Sequence, residues 1–294
     1  MTVAKPFLKW AGGKRQLLPV LREFYPRSFD AYLEPFVGSG AVFFDLRGRG
    51  LLDGHEVLLA DSSRDLIDCY IAVRDHVAAL IAELEALQAG HRAGGASHYY
   101  AVRDEQFNTL RRRPGRPIVP LAARLIYLNR TGYNGLFRVN AAGDFNVPVG
   151  RYKRPVICDA ANLRAASAAL AGVRLECAAF SESLRSARAN DFVYLDPPYA
   201  PLSRTASFTA YTAAGFGGPA QEALRSVVVE LAARGVRVLL SNSAADEVRR
   251  LYADDARARE AGLRAHRVAA RRAINSAATR RGPVWEYVIT NVGC

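Results

Sequence analysis

The apolar run Asp191-Phe192-Val193-Tyr194-Leu195 stops abruptly at Asp196-Pro197-Pro198-Tyr199. A run of strand formers ended by an acid and two prolines reads as a buried strand, because proline cannot continue the ladder. The acid then lies at the carboxyl edge of a sheet, where open α/β folds bind their ligands. The two prolines fix the turn and donate no hydrogen bond, so their carbonyls are left as acceptors. A carboxylate, a rigid carbonyl and an aromatic face together suit a planar base with an exocyclic amino group. Asp196 and the Pro197 carbonyl each take one amino hydrogen while Tyr199 stacks on the ring. The same residues also suit a plain strand-to-loop turn, and the tetrapeptide alone does not decide between the two.

A second motif bears on that choice. Tyr32-Leu33-Glu34-Pro35-Phe36-Val37-Gly38-Ser39-Gly40 is a short strand entering a glycine-rich turn, followed by the helical pattern Ala41 to Leu46. Glycines at 38 and 40 permit a tight turn and close approach to a ligand. The third glycine of the dinucleotide fingerprint is missing, which weakens a nicotinamide reading. About 20 residues on, His55 to Asp61 forms a second strand ending in an acid, the position that grips a ribose in such folds. A nucleoside-containing cofactor is favoured over a structural turn.

Strand and helix signals alternate along the chain. Strands are expected at 31–35, 56–61, 173–177, 191–196, 236–241, 263–269 and 284–290. Helices are expected over Lys14 to Tyr25, after Gly40, and over Arg64 to Leu87, Tyr99 to Leu110 and Pro120 to Leu128. Gly90 to Ser97 reads as a linker. Phe137 to Pro148 alternates apolar and polar residues around an Ala-Gly-Asp turn, the signature of a β-hairpin. The fold class is α/β, a Rossmann-like sheet with an inserted, mostly helical subdomain that carries this hairpin. The expected boundaries are 1–65 with 155–294 for the sheet domain and 66–154 for the insert.

The net charge of +12, from 40 Lys and Arg against 28 Asp and Glu, points to a polyanionic partner. Arg111-Arg112-Arg113-Pro114-Gly115-Arg116 suits phosphate contact, and equally a solvated face. The basic stretch Arg271 to Arg281 is read in the same two ways. Four scattered cysteines without a C-x-x-C pair suggest free thiols in a reducing compartment. The five histidines show no ligand-like spacing, so no metal is expected. No signal-peptide core and no membrane-spanning run is seen, and a cytoplasmic location is expected.

The chain resembles the DNA adenine-N6 methyltransferases of the Dam type, an alpha-group amino-methyltransferase family that uses S-adenosylmethionine. The resemblance rests on Phe7-Leu8-Lys9-Trp10-Ala11-Gly12-Gly13-Lys14, on Glu34 to Gly40 and on Asp196 to Ser203. Tyr127 to Arg138 and Phe145 to Lys153 agree as well, so it runs from Phe7 to about Ile289. It implies transfer of a methyl group to adenine N6 in duplex DNA after the base is flipped out, with S-adenosylhomocysteine as product and no metal. Asp196, Pro197, Pro198 and Tyr199 are its catalytic residues. Trp10, Lys14, Glu34, Phe36, Gly38, Gly40, Asp61 and Phe180, with Asp196, are its cofactor residues. Read alone, Trp10 is as well a core anchor and Lys14 as well a surface lysine.

The insert becomes, by the same resemblance, a target-recognition subdomain. Arg138 matches a residue that reads guanine, a bidentate pairing that arginine makes in the major groove. Lys9 matches a contact to the other outer guanine. Leu136 and Pro148 match apolar contacts to a thymine methyl, and Tyr133 and Asn134 match residues that intrude at the target step. Tyr152 and Lys153 complete the expected DNA-binding set. The implied target is GATC. Phe137 and Val139 depart from the family's commoner Cys and Tyr, which leaves contacts there open, and Arg138 taken alone also suits a phosphate. The implied protein is a monomer associated with a bacterial or phage nucleoid. An RNA amino-methyltransferase and a catalytically silent DNA-binding regulator on the same fold stand as alternatives.

Overall fold

The computed structural model describes residues 2–10, 12–200, 216–270 and 284–293. The basic stretch 271–281 and residues Pro201, Leu202 and Ser203 of the Asp196 block lie outside the described residues.

Seven described strands form one sheet: β1 (Ala31–Glu34), β2 (Glu56–Asp61), β3 (Arg174–Cys177), β4 (Phe192–Leu195), β5 (Arg237–Ser243), β6 (Arg264–Ala270) and β7 (Val284–Thr290). Their order is β3-β2-β1-β4-β5-β7-β6. β2, β1, β4 and β5 run parallel, and β7 pairs antiparallel with both β5 and β6. The expected α/β fold class is the one observed, and each expected strand is present within one or two residues. All four residues of β4 are buried, as a parallel strand covered on both faces must be. From β1 the chain passes to β2 on one side and later to β4 on the other. The order therefore reverses between β1 and β4, and ligands bind outside the carboxyl ends of strands at such a reversal.

The chain contacts divide into two compact units. One comprises 1–13, 38–51 and 61–177, the other 14–37, 52–60 and 178–294. The second unit holds a core built on Leu33, Val193, Leu195, Val238, Leu240 and Ile289, against which Leu224, Val228 and Leu231 of the helix Gly218–Ala233 pack. Burying each such side chain contributes about 1.5–3 kcal/mol.

The first unit is mainly helical. Its helix Arg64–Asp75 begins at Ser63, whose hydroxyl accepts from the Leu66 amide, a cap that satisfies one of the orphan donors of the first turn. The next helix, Val77–Ala101, corrects two expectations. His76 (φ −132°) breaks the helical pattern expected to run unbroken from Arg64 to Leu87. Gly90 to Ser97 is helical and not a linker, with its one non-helical residue at Gly95 (φ 51°, ψ −124°). The His98 ring packs directly over Gly90, where any Cβ would collide with it. The small residues there provide room for packing rather than flexibility.

The expected hairpin is a narrow ribbon. Val139 and Phe145 form a single antiparallel bridge, and Asn140 N donates to Asp144 O (2.8 Å) across a turn with Gly143 at φ 81°. Phe145 is clasped from the helical side, since Asn108 Nδ2 donates to its carbonyl (3.1 Å) and its amide donates to Asn108 Oδ1 (2.9 Å).

Candidate active site

In the second unit, Asp196 follows β4 directly and is held on one side by Lys14. Lys14 lies in the 3-10 turn Lys14–Gln16, is 6 % exposed, and places Nζ 2.6 Å from Asp196 Oδ1. Ser241 of β5 donates its hydroxyl to the same oxygen (3.1 Å). The parallel register sets Leu195 beside Leu240, so the residues that follow each, Asp196 and Ser241, meet. Burial raises the Asp196 carboxyl pKa, while the Lys14 ammonium and the Ser241 hydroxyl pull it down. The Lys14 ammonium also stands 4.5 Å from the centre of the Tyr199 ring, a cation–π contact of about 0.5–2 kcal/mol.

The turn after Asp196 is fastened at several points. Tyr199 donates its hydroxyl to Glu286 Oε2 (2.8 Å) of β7, and Gln221 Nε2 donates to the Pro198 carbonyl (3.0 Å). Asn242 Oδ1 accepts from the Ala200 amide (3.2 Å), and Ser243 Oγ donates to the Ala200 carbonyl (2.7 Å). Asn242 Nδ2 in turn donates to Gln221 Oε1 (3.0 Å). Burial, with the negative charges of Asp196 and Glu286, holds the Tyr199 phenol well above its ordinary pKa. It therefore remains a neutral donor and a neutral ring. Gln221, Ser241, Asn242, Ser243 and Glu286 were not anticipated from the sequence. Ser241-Asn242-Ser243 gives the same signal as Asp196, polar residues at the carboxyl end of an apolar strand.

At the end of β1, Glu34 is buried and accepts from the Tyr32 hydroxyl (2.8 Å). Phe36 stacks on Phe180 (5.4 Å between centroids, 26° between planes) and meets the edge of Phe216 (5.8 Å). The three rings form an apolar aromatic cluster of the kind that accommodates a flat heterocycle.

In the first unit, Gly38 and Gly40 both adopt positive φ (47° and 66°). A Cβ at Gly40 would stand 2.7 Å from the Tyr70 hydroxyl, and that hydroxyl donates to the Gly38 carbonyl (3.1 Å). The Gly38 amide donates to Asp61 Oδ2 (3.3 Å) and the Ser63 amide to Asp61 Oδ1 (2.9 Å). Burial pushes the Asp61 carboxyl up to about 6, against the amide hydrogen bonds that lower it. Each oxygen retains acceptor capacity beyond its one amide, which fits a carboxylate that holds a diol.

The same unit gathers the residues assigned to base reading. Asn129 Oδ1 accepts from the Lys9 amide (2.8 Å), while its Nδ2 donates to the carbonyls of Lys9 (2.6 Å) and Gly135 (2.9 Å). One buried amide thus ties Lys9 to the Tyr133-Asn134-Gly135 turn. The Lys9 ammonium lies 4.5 Å from the centre of the Tyr152 ring. Asn134 adopts a left-handed φ of 53°, and the Tyr133 amide donates to the Pro148 carbonyl (2.9 Å), which leaves Tyr133 half exposed at 50 %. Arg138 is exposed and aligned by Asn146, with Nε donating to Oδ1 (2.7 Å) and Nη2 to the main-chain carbonyl (3.3 Å). Pro148 and Lys153 are exposed and Leu136 is partly buried. Trp10 stacks on Phe137 (5.5 Å, 29°), next in sequence to Arg138.

Three of the arginines read as phosphate contacts are engaged within the protein. Arg111 and Arg116 pair with Asp65, Arg116 also with Asp68, and Arg112 with Asp144. Among the described residues no cluster of His, Cys, Asp and Glu could hold a metal ion, and no helix is long and apolar enough to cross a membrane.

Residues 10–274 match a family model described as D12 class N6 adenine-specific DNA methyltransferase. The chain is 39 % identical over 298 residues to the Type II methyltransferase M.MjaIII of Methanocaldococcus jannaschii, covering 98 % of this chain and 99 % of the relative. It is 36 % identical over 295 residues to the Type II methyltransferase M1.LlaDCHI of Lactococcus lactis subsp. cremoris, covering 98 % and 96 %. To the DNA adenine methylase of Escherichia coli (strain K12) it is 37 % identical over 238 residues, covering 81 % and 80 %. Matched over most of its length by the family model and almost end to end by the two Type II methyltransferases, the chain belongs to the D12 class N6 adenine-specific DNA methyltransferases.

Proposed function

We propose that this protein transfers a methyl group from S-adenosylmethionine to N6 of an adenine flipped out of duplex DNA, within GATC. The observation on which the reading rests is the clasp after β4, where Asp196 is paired with Lys14 and Tyr199 is anchored to Glu286. Adenine N6 is a weak nucleophile because its lone pair is delocalised into the ring. Asp196 and the Pro197 carbonyl accept its two hydrogens, which favours a pyramidal nitrogen with its lone pair available. With Pro198 engaged by Gln221, the carbonyl of Pro197 is the one we assign to the amine. Tyr199, fixed through its hydroxyl, stacks on the extruded base, a contact worth about 1–3 kcal/mol. Asp196 also stabilises positive charge as it develops on nitrogen. The bound sulfonium supplies the activated methyl group, so the protein mainly orients and screens.

The cofactor assignments follow unit by unit. In the first unit Asp61 takes the ribose hydroxyls beside a backbone that Gly38 and Gly40 allow to approach closely, and Trp10 is added to this set. In the second, Phe36 and Phe180 offer a flat apolar face, Glu34 lies at the β1 edge, and Lys14 offers an ammonium. Residues 66–154 are proposed as the target-recognition region. There Arg138 and Lys9 read the outer guanines, Leu136 and Pro148 touch a thymine methyl, and Tyr133 and Asn134 enter the target step. Tyr152 and Lys153 complete this surface. The test is methyl transfer from labelled S-adenosylmethionine to a duplex containing GATC and to one with GTAC in its place. Selective N6 labelling of the GATC duplex supports the reading, and equal labelling of both removes the target assignment. No labelling of any duplex removes the activity.

A further inference from the structure

A charged chain of contacts runs through the first unit from the Asp61 turn to the tip of the hairpin ribbon. Asp61 receives the Ser63 amide (2.9 Å), and Ser63 caps the helix Arg64–Asp75. Asp65 in that helix's first turn is only 8 % exposed and accepts Arg111 at two nitrogens, Nε at 2.9 Å and Nη2 at 2.8 Å. The third nitrogen, Arg111 Nη1, donates to the carbonyl of Gly143 in the ribbon turn. The same guanidinium lies 6.0 Å from the centre of the Phe137 ring, beside Arg138. Arg116 braces Asp65 and Asp68 from the other side, so Asp65 has little freedom to follow Arg111 elsewhere.

A fork that spends two nitrogens on a buried carboxylate and one on a ribbon carbonyl fixes the ribbon to the helix, and arginine is the side chain suited to it. The cap of that helix, Ser63, in turn lies two residues after the proposed ribose carboxylate. Resting on the function proposed above, we infer that Arg111 is a positioning residue that couples cofactor loading at Asp61 to the placement of the Arg138 ribbon on DNA. Coupling of this kind is reciprocal: cofactor tightens DNA binding and DNA tightens cofactor binding by the same factor.

The experiment measures the equilibrium affinity of the full chain for a GATC duplex with and without saturating S-adenosylhomocysteine, in the wild type and in Arg111→Lys, Arg111→Ala and Arg112→Ala. Thermal melting of each variant is recorded alongside. For the wild type we expect at least a roughly fivefold tightening by the cofactor product, the lower end of usual coupling strengths. Arg111→Lys retains a cation for Asp65 but cannot also hold Gly143, and should bring that factor close to one. Its affinity for S-adenosylhomocysteine without DNA should stay within about twofold. Arg112→Ala loses the solvent-exposed pair with Asp144 of the same ribbon turn, leaves the Arg111 fork intact and should lower the factor far less than Arg111→Lys does. A wild type that shows no tightening overturns the inference, as does an Arg111→Lys protein that keeps it. So does a variant that loses cofactor affinity without DNA to the same extent, since that is general loosening. These are binding readouts, so absent methyl transfer would count against the proposed activity and leave the coupling to be judged on its own.

Discussion

Lys14 Nζ lies 2.6 Å from Asp196 Oδ1 although the two residues are 182 positions apart (196 − 14) and Lys14 is only 6 % exposed. A buried ion pair of this kind stabilises little when intact but costs roughly 3–5 kcal/mol when one partner is removed. Asp196→Asn should therefore lower the melting temperature as well as activity. Turnover should fall by about 10²-fold or more, the usual cost of losing a preorganised electrostatic group, while duplex affinity changes little. Single-turnover methylation alongside duplex binding checks this, and a variant with near-normal turnover removes Asp196 from the chemistry.

Tyr199 separates two contributions. Tyr199→Phe keeps the ring but removes the hydroxyl bonded to the buried Glu286 at 2.8 Å. Leaving a buried acceptor without its donor costs about 1–3 kcal/mol of stability, with most activity retained. Tyr199→Ala also loses the stacking face, and methylation should then fall much further than it does in the Phe variant. Melting curves and kcat/KM for the two variants give the comparison. Equal kcat/KM losses in both would exclude a stacking role.

What the sequence shows of this site and what it conceals have physical reasons. Asp196 and Tyr199 were legible because a strand signal ends at them, and Gly38, Gly40 and Asp61 because turn and strand chemistry are local. Glu286 and Gln221 were not, since their contacts with the Asp196 turn span 87 and 23 positions and no short-range pattern marks them. The central strands β1, β2, β4 and β5 are legible from apolar runs alone because they are buried along almost their whole length. The Gly90 to Ser97 stretch was misread because small residues signal a loop and close helix packing equally, and only the His98 ring over Gly90 distinguishes them. The Arg111–Arg116 segment suited a phosphate surface and a solvated face equally, because charge composition does not reveal that Asp65, Asp68 and Asp144 fold back onto it.

Asp61 predicts a pH dependence. Its native carboxyl keeps a proton up to about pH 6, whereas the ordinary value is 3.8. The folded chain thus binds more protons than the unfolded chain between those limits. Its contribution to stability is fully present below about pH 4 and is lost as pH rises through 6. Cofactor binding runs the other way, because ribose hydroxyls donate best to the ionised form. Affinity for S-adenosylhomocysteine should be level above about pH 6 and weaken by up to about tenfold per pH unit below it. Calorimetric titration from pH 5 to 8 checks this, and Asp61→Asn should bind weakly with no such slope.

Arg138 is exposed and aligned by Asn146 at 2.7 Å. If it pairs with guanine, Arg138→Ala should cost about 1–3 kcal/mol of discrimination at one outer base pair. Affinity for unrelated duplexes should change far less. A phosphate contact would instead weaken every duplex alike and reduce the salt dependence of binding by about one unit of slope. Competition among duplexes substituted at each position of GATC, repeated at two salt concentrations, separates the outcomes.

Gly40 tests whether the glycine turn is set by conformation or by space. It sits at φ +66°, and a Cβ there would lie 2.7 Å from the Tyr70 hydroxyl and 3.3 Å from the Phe44 ring. Gly40→Ala should therefore destabilise the chain for two reasons, of order 1–2 kcal/mol for the left-handed backbone and more for the overlap. Tyr70→Phe alone removes the hydrogen bond to the Gly38 carbonyl and should cost about 1 kcal/mol. In the double variant the hydroxyl is gone, the overlap is largely relieved and only the backbone strain remains. It should therefore be more stable than the sum of the two single losses. Strict additivity in denaturant melts would show that the hydroxyl does not limit the space at Gly40, and the turn would then be fixed by its backbone conformation alone.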